Sequence, residues 1–222
     1  MKLSLIFLSI KNVPKTNWSS DTPLNFKPKL KTFILLCLGL SLFGFGESLL
    51  IHSTIGVSPW TVLAEGISLK LHWSVGFATF IVSVMVLSSW IFLKQKPGLG
   101  TLLNIIIIAG TIDLSLFLFD FSTNSYLLNI LTGILGVLFV GLGSGIYLIA
   151  NLGPGPRDGL MTGLQRITNF PIAWVRASIE ISVVILGWIL GGTVGLGTLI
   201  FALGIGPAVA LGLYLTDKIS LK

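Results

Sequence analysis

The sequence predicts an all-α polytopic membrane protein. Six transmembrane helices and two short re-entrant or interfacial helices are expected, in two inverted-topology repeats of three transmembrane helices each. Three observations predict this. The 222 residues are 53% hydrophobic and only 10% charged, where globular chains carry about 25% charged residues. Six stretches are long and apolar enough to cross about 30 Å of hydrocarbon at 1.5 Å per residue. The second half of the chain repeats the punctuation of the first.

Residues 1–31 form a basic tail with six lysines and one acid, Asp21. Its apolar run, 3–10, is too short to span and is expected at most to anchor at the interface. No small-residue cleavage site follows it, so a signal peptide is not expected. The spanning stretches are 32–52, 73–93, 101–119, 126–150, 172–190 and 198–215. Two further pieces, 58–71 and 156–168, are too short to span. Each follows a Gly/Pro turn and begins at a proline, Pro59 or Pro156. Proline suits the first turn of a helix because its missing N–H would have no partner there.

A shift of 97 residues, the distance from Gly98 to Gly195, lays the chain on itself. Gly39, Gly44 and Gly46 fall on Gly136, Gly141 and Gly143. Gly56 and Pro59 fall on Gly153 and Pro156. The run Gly-Leu-Gly-Thr-Leu recurs at 98–102 and 195–199. Matching leucines mean little in apolar segments; matching glycines and prolines at one spacing mark a repeat. The repeats are 32–120 and 126–217. Three spanning helices per copy is an odd number, so the second copy enters the membrane from the other side, as in many secondary transporters.

Charge sets the orientation. With the N-terminus inside, every lysine and arginine except Lys70 falls on or near the cytoplasmic face. The positive-inside rule is thereby satisfied, with both termini cytoplasmic. The basic tail is then explained by orientation and contact with anionic lipid, and no nucleic-acid partner is expected. A lone cysteine, Cys37, excludes a disulfide within the chain. Gly141 and Gly145, with Gly204, Ala208 and Gly212, have the spacing of closely packed membrane helices.

Charges within the membrane are the candidate functional groups. Arg157 and Asp158 open the second short helix, where free amides and the positive helix end favour an anion. They can equally be a cap with an arginine reaching lipid phosphate. Arg176 and Glu180 lie four apart on one helical face. These four are the expected substrate-binding residues, as one charge-neutral, cytoplasm-facing cluster. Glu47 and Asp113, in the outer halves of their helices, are candidates for proton or ion coupling. His52 and His72 are expected at outer helix ends. No metal-ligand spacing, phosphate loop or nucleophile arrangement is present, so no cofactor, no metal and no enzymatic activity are expected.

The stretch Gly155-Pro-Arg-Asp-Gly-Leu-Met161, with Arg176, Ile179-Glu180, Gly187-Trp-Ile-Leu-Gly-Gly192 and Gly195-Leu-Gly-Thr198, resembles the YczE/YyaS/YitT group of bacterial integral membrane proteins. Gly56, Pro59-Trp60 and Gly100-Thr101 fit that group too, and the likeness covers about residues 33–217. Thr61 stands where many members carry an acid. The resemblance implies the bacterial cytoplasmic membrane and a transporter-like fold. The functional expectation is a small-solute secondary transporter, its substrate unidentified, with an anion favoured by the arginines. The alternative is a non-transporting accessory or binding subunit of another complex. The bilayer, a small solute, and a second copy or a partner membrane protein are the expected partners.

Overall fold

The structure, a computed structural model, describes residues 13–121 and 124–220. They form eight helices: α1 (Leu30–His52), α2 (Pro59–Leu71), α3 (Val75–Leu93), α4 (Leu99–Leu118), α5 (Tyr126–Ala150), α6 (Pro156–Thr168), α7 (Ile172–Ile189) and α8 (Leu196–Ser220). No strand occurs among the described residues. All except α2 and α6 are long and apolar enough to cross a membrane. Large apolar side chains such as Phe92, Phe117 and Leu203 stand outward, 80–86% exposed. On a membrane protein this surface meets lipid.

The short helices begin where the prolines predict. Pro59 and Pro156 each occupy the first turn, and each helix ends on a left-handed residue, His72 or Asn169, both at φ 55°. Asparagine tolerates this conformation through local hydrogen bonding. All eight described residues with positive φ fall into four pairs 97 apart. The pairs are Thr54 with Asn151, Gly56 with Gly153, His72 with Asn169, and Lys94 with Gly191. Backbone conformation therefore repeats even where side chains do not.

α1 and α5 form the centre. They cross antiparallel, with Gly39 against Gly143 and Gly46 against Gly136. A Cβ on Gly39 would lie 2.9 Å from the Gly143 carbonyl oxygen, and one on Gly46 2.6 Å from that of Gly136. Glycine is required here because two backbones meet. α4 packs on α1, and α8 on α5. In the second contact Gly141 meets Ala208 and Gly145 meets Gly212, as their spacing predicts. α8 carries Pro207 within its length.

The short helices pack across the halves: α2 lies against α7, and α6 against α3. One relationship is not reproduced. α3 packs along α4, but α7 makes no comparable contact with α8.

The basic segment is not a loose tail where it is described. Trp18 is buried with Leu36, Leu40, Ile149 and Leu213. Its indole N–H donates to Ser220 Oγ at 2.8 Å, and its carbonyl accepts from the Thr32 hydroxyl. The Ser20 amide donates to the Ala150 carbonyl at 3.0 Å. Residues 13–29 thus strap the α1, α5 and α8 ends that lie together. The expected interfacial run at 3–10 lies outside the described residues.

Candidate functional site

A cavity of about 220 Å³ opens where the N-termini of α2 and α6 approach one another. Ser58, Pro59 and Trp60 reach it from the first half, and Gly155, Pro156, Arg157 and Asp158 from the second. The first-turn amides of both helices have no intrahelical partners, as at any helix start, and residues of both starts line the cavity, so two positive helix ends face one space.

The structure brings Arg157, Asp158, Arg176 and Glu180 to this cavity together. Arg176 Nε donates to Glu180 Oε1 at 2.8 Å, with 49% and 23% of the two side chains exposed. Asp158 accepts a hydrogen bond from the Tyr147 hydroxyl at 2.7 Å. The Arg157 guanidinium lies over the Trp60 ring, 5.2 Å from its centroid. It makes no hydrogen bond or ion pair to a described residue, although its field reaches Glu47, Asp158 and Glu180. The two charged pairs share the cavity without bonding to each other.

Glu47 is 1% exposed. Ser58 Oγ lies 3.0 and 2.8 Å from its two carboxylate oxygens, and Thr61 Oγ1 donates to Oε2 at 2.9 Å. The turn before α2 thus dips back to the depth of Glu47, five residues short of the end of α1. Asp113 stands elsewhere. It accepts from Ser74 Oγ at 2.5 Å and from the Gly76 amide at 2.7 Å, so it ties the first turn of α3 to α4. Neither acid lines the cavity, but Glu47 sits directly behind Ser58, which does, whereas Asp113 has no such link. Of the two histidines, His72 is the exposed cap of α2, and His52 packs edge-on against Phe121 at 5.6 Å.

Several residues of the site carried no flag in the sequence. Tyr147 is buried one turn beyond Ser144, which lies 97 residues after Glu47. Trp60 is buried beneath Arg157. Glu65, the lone acid of α2, is 9% exposed and accepts from the Thr193 amide at 2.9 Å. An acid in an otherwise apolar short helix was the available signal for Glu65. Nothing local marks Tyr147. The remaining wall is largely apolar and includes Phe43, Ile108, Met161, Phe201 and Ile205. No cluster of metal-ligating side chains occurs among the described residues.

Residues 30–213 match DUF6198, a family of unknown function. The chain belongs to this family. It is 40% identical over 200 residues to an uncharacterized protein of Haemophilus influenzae, covering 90% of each chain. It is 32% identical to the uncharacterized membrane protein YczE of Bacillus subtilis, over 74% of this chain and 77% of that one. The uncharacterized protein YyaS of the same organism is 31% identical, over 73% of this chain and 83% of its own. YczE and YyaS are the relatives that the second-half motifs imply. No solved structure matches the chain. The DUF6198 match begins at α1 and ends within α8, so it spans both halves and the whole cavity.

Proposed function

We propose that this DUF6198 protein is a small-solute secondary transporter of the bacterial cytoplasmic membrane. It is built from inverted-topology repeats 32–120 and 126–217, with both termini cytoplasmic. The observation that carries the reading is the cavity at the meeting of two broken-helix N-termini, lined by Arg157, Asp158, Arg176 and Glu180. Such discontinuous segments are tolerated at membrane depth where they border a cavity, and they recur at transporter substrate sites. The four positive-φ pairs and the antiparallel α1–α5 crossing support the repeat. The distribution of basic residues supports the orientation.

The departure from symmetry supports movement. At the outer end of α3, Asp113 latches Ser74 and Gly76. The counterpart positions in the second half are Ala210, Pro171 and Ala173, which carry no latch. α7 correspondingly stands off α8. Transport would exchange the two arrangements: α7 docks on α8 as α3 parts from α4, moving access from the inner side to the outer.

Uptake by proteoliposomes containing the purified chain tests the reading. Flux of a solute from a metabolite mixture, lost in Arg157→Gln, is the expected result. No flux, with a stoichiometric membrane partner co-purifying, would favour the accessory-subunit role.

A further inference from the structure

We propose that the cavity binds a small organic anion together with a proton, the anion on Arg157 and the proton on Glu47. The inference rests on the transporter reading and names the substrate class of the same site.

Arg157 is the receptor because its donors are uncommitted. A guanidinium carries five N–H donors in a planar fork that matches a carboxylate. Arg176 spends its charge on Glu180 at 2.8 Å. Arg157 holds only the Trp60 face and makes no hydrogen bond to a described residue, yet it lines the cavity at the N-terminus of α6. The largely apolar wall of Phe43, Ile108, Met161 and Phe201 suits a solute with an apolar body rather than an inorganic anion. At about 220 Å³ the space lies below the roughly 300–1,000 Å³ of drug-sized sites, so the solute is small.

The charge around Arg157 is what requires a proton. Three acids, Glu47, Asp158 and Glu180, act on Arg157, and Arg176 is the second base at the cavity. Glu65 acts on Glu47 from beyond the lining. Tyr147 is the remaining titratable group in this set. With every acid ionised, an incoming carboxylate would add a further anion to a guanidinium already facing Glu47 and Asp158. Beside the buried Glu47 that arrangement is strongly disfavoured.

Glu47 is the fully buried acid whose bonds survive protonation. Its partners are the Ser58 and Thr61 hydroxyls, which both donate and accept. A protonated Glu47 can donate back to either oxygen. Glu65 accepts from a backbone N–H, which cannot reverse. Asp158 also bonds a hydroxyl, that of Tyr147, but it is only half-buried. Glu180 is held by Arg176. Protonating Glu47 therefore removes a negative charge from the field at Arg157 at the smallest structural cost, and the carboxylate of the solute supplies that charge instead. By linkage, affinity rises as pH falls through the titration of Glu47 and declines as pH rises.

Calorimetry on the full chain in detergent tests this. Benzoate, propionate, phosphate and ethylammonium serve as probes, each in two buffers of different protonation heat. The expected result is binding of benzoate or propionate with uptake of about one proton. Phosphate and ethylammonium should bind more weakly. Arg157→Gln should weaken carboxylate binding by at least about tenfold, as one charge-assisted hydrogen bond requires. Glu47→Gln should keep binding and lose proton uptake. Arg157→Lys, which keeps the charge, checks that a loss is not misfolding. No carboxylate binding, tighter binding of phosphate or ethylammonium, binding without proton uptake, or an unaffected Arg157→Gln overturns the proposal. Carboxylate binding without flux would sink the transporter reading alone. Flux of another solute without carboxylate binding would sink this inference alone.

Discussion

The Gly197 amide donates to the Ile55 carbonyl at 2.8 Å, closing the loop after α1 onto the start of α8. Move both partners by 97 residues and the bond recurs: the Gly100 amide donates to the Leu152 carbonyl at 2.7 Å. Each half thus pins the broken segment of the other. The threonines flanking these bonds match too. Gly98 N–H donates to Thr101 Oγ1 at 3.2 Å and Gly195 N–H to Thr198 Oγ1 at 3.3 Å. These cross-links fix where α2 and α6 begin, and hence where the cavity lies.

The glycines of these turns should be intolerant of a side chain. Gly56 and Gly153 have φ of 119° and 108°, and a Cβ on either would crowd the opposing Thr198 or Thr101 hydroxyl at 2.8 Å. Alanine at either position is expected to cost about 1–3 kcal/mol and to lower the melting temperature in detergent. Gly110→Ala is the control, since nothing lies within 4 Å of its would-be Cβ. Its melting temperature should be unchanged or slightly raised, because alanine is the better helix former. Equal melting of all three variants would contradict the packing described.

Labelling of single cysteines tests the topology. In a chain with Cys37 replaced by alanine, Asn124→Cys and Asn169→Cys lie on exposed positions. An impermeant maleimide should reach position 124 from outside intact cells and position 169 only after lysis. Labelling of both from the same side would contradict the inverted arrangement.

The Arg176–Glu180 pair should contribute little to stability. Its side chains are 49% and 23% exposed, and it is an i,i+4 pair. A double-mutant cycle is expected to give about 0.3–0.5 kcal/mol of coupling in detergent, as for other exposed pairs. Glu180→Gln should melt within a degree or two of the parent while losing transport. A coupling of several kcal/mol would mean that the pair is dehydrated and holds the fold rather than the solute.

How much of this is legible in the sequence follows from which forces act locally. The helices are, because hydropathy and proline placement decide them residue by residue. The predicted short helix 156–168 and the observed α6 coincide, and the spans differ by a few residues at their ends. The recurrence of left-handed backbone positions 97 residues apart is legible because glycines and prolines answer to backbone geometry. The meeting of Arg157, Asp158, Arg176 and Glu180 is legible because a short hairpin at 169–171 joins their helices. The partners that define the site chemically are not. Tyr147 reaches Asp158 because the turn at 151–155 brings the start of α6 back to the last turn of α5, and Ser58 and Thr61 reach Glu47 because the chain turns back into the bundle. Glu47 and Asp113 look alike as lone acids in apolar helices. Only packing separates the buried carboxyl held by hydroxyls from the latch on α3. The strap of residues 13–29 is illegible for the same reason, since its composition is that of a free basic tail while Trp18 finds a site in the core.

Access to the cavity from both sides tests the central claim most directly. Ser144 lines the cavity and is 5% exposed. In the Cys37-free chain, Ser144→Cys should react with a small impermeant thiol reagent from either face of the membrane in oriented vesicles. A cross-link between cysteines at Ala173 and Ala210, the counterparts of Gly76 and Asp113, should abolish reaction from the inner face and increase it from the outer. Reaction from one face only, unchanged by the cross-link, would contradict alternating access and leave a static binding protein.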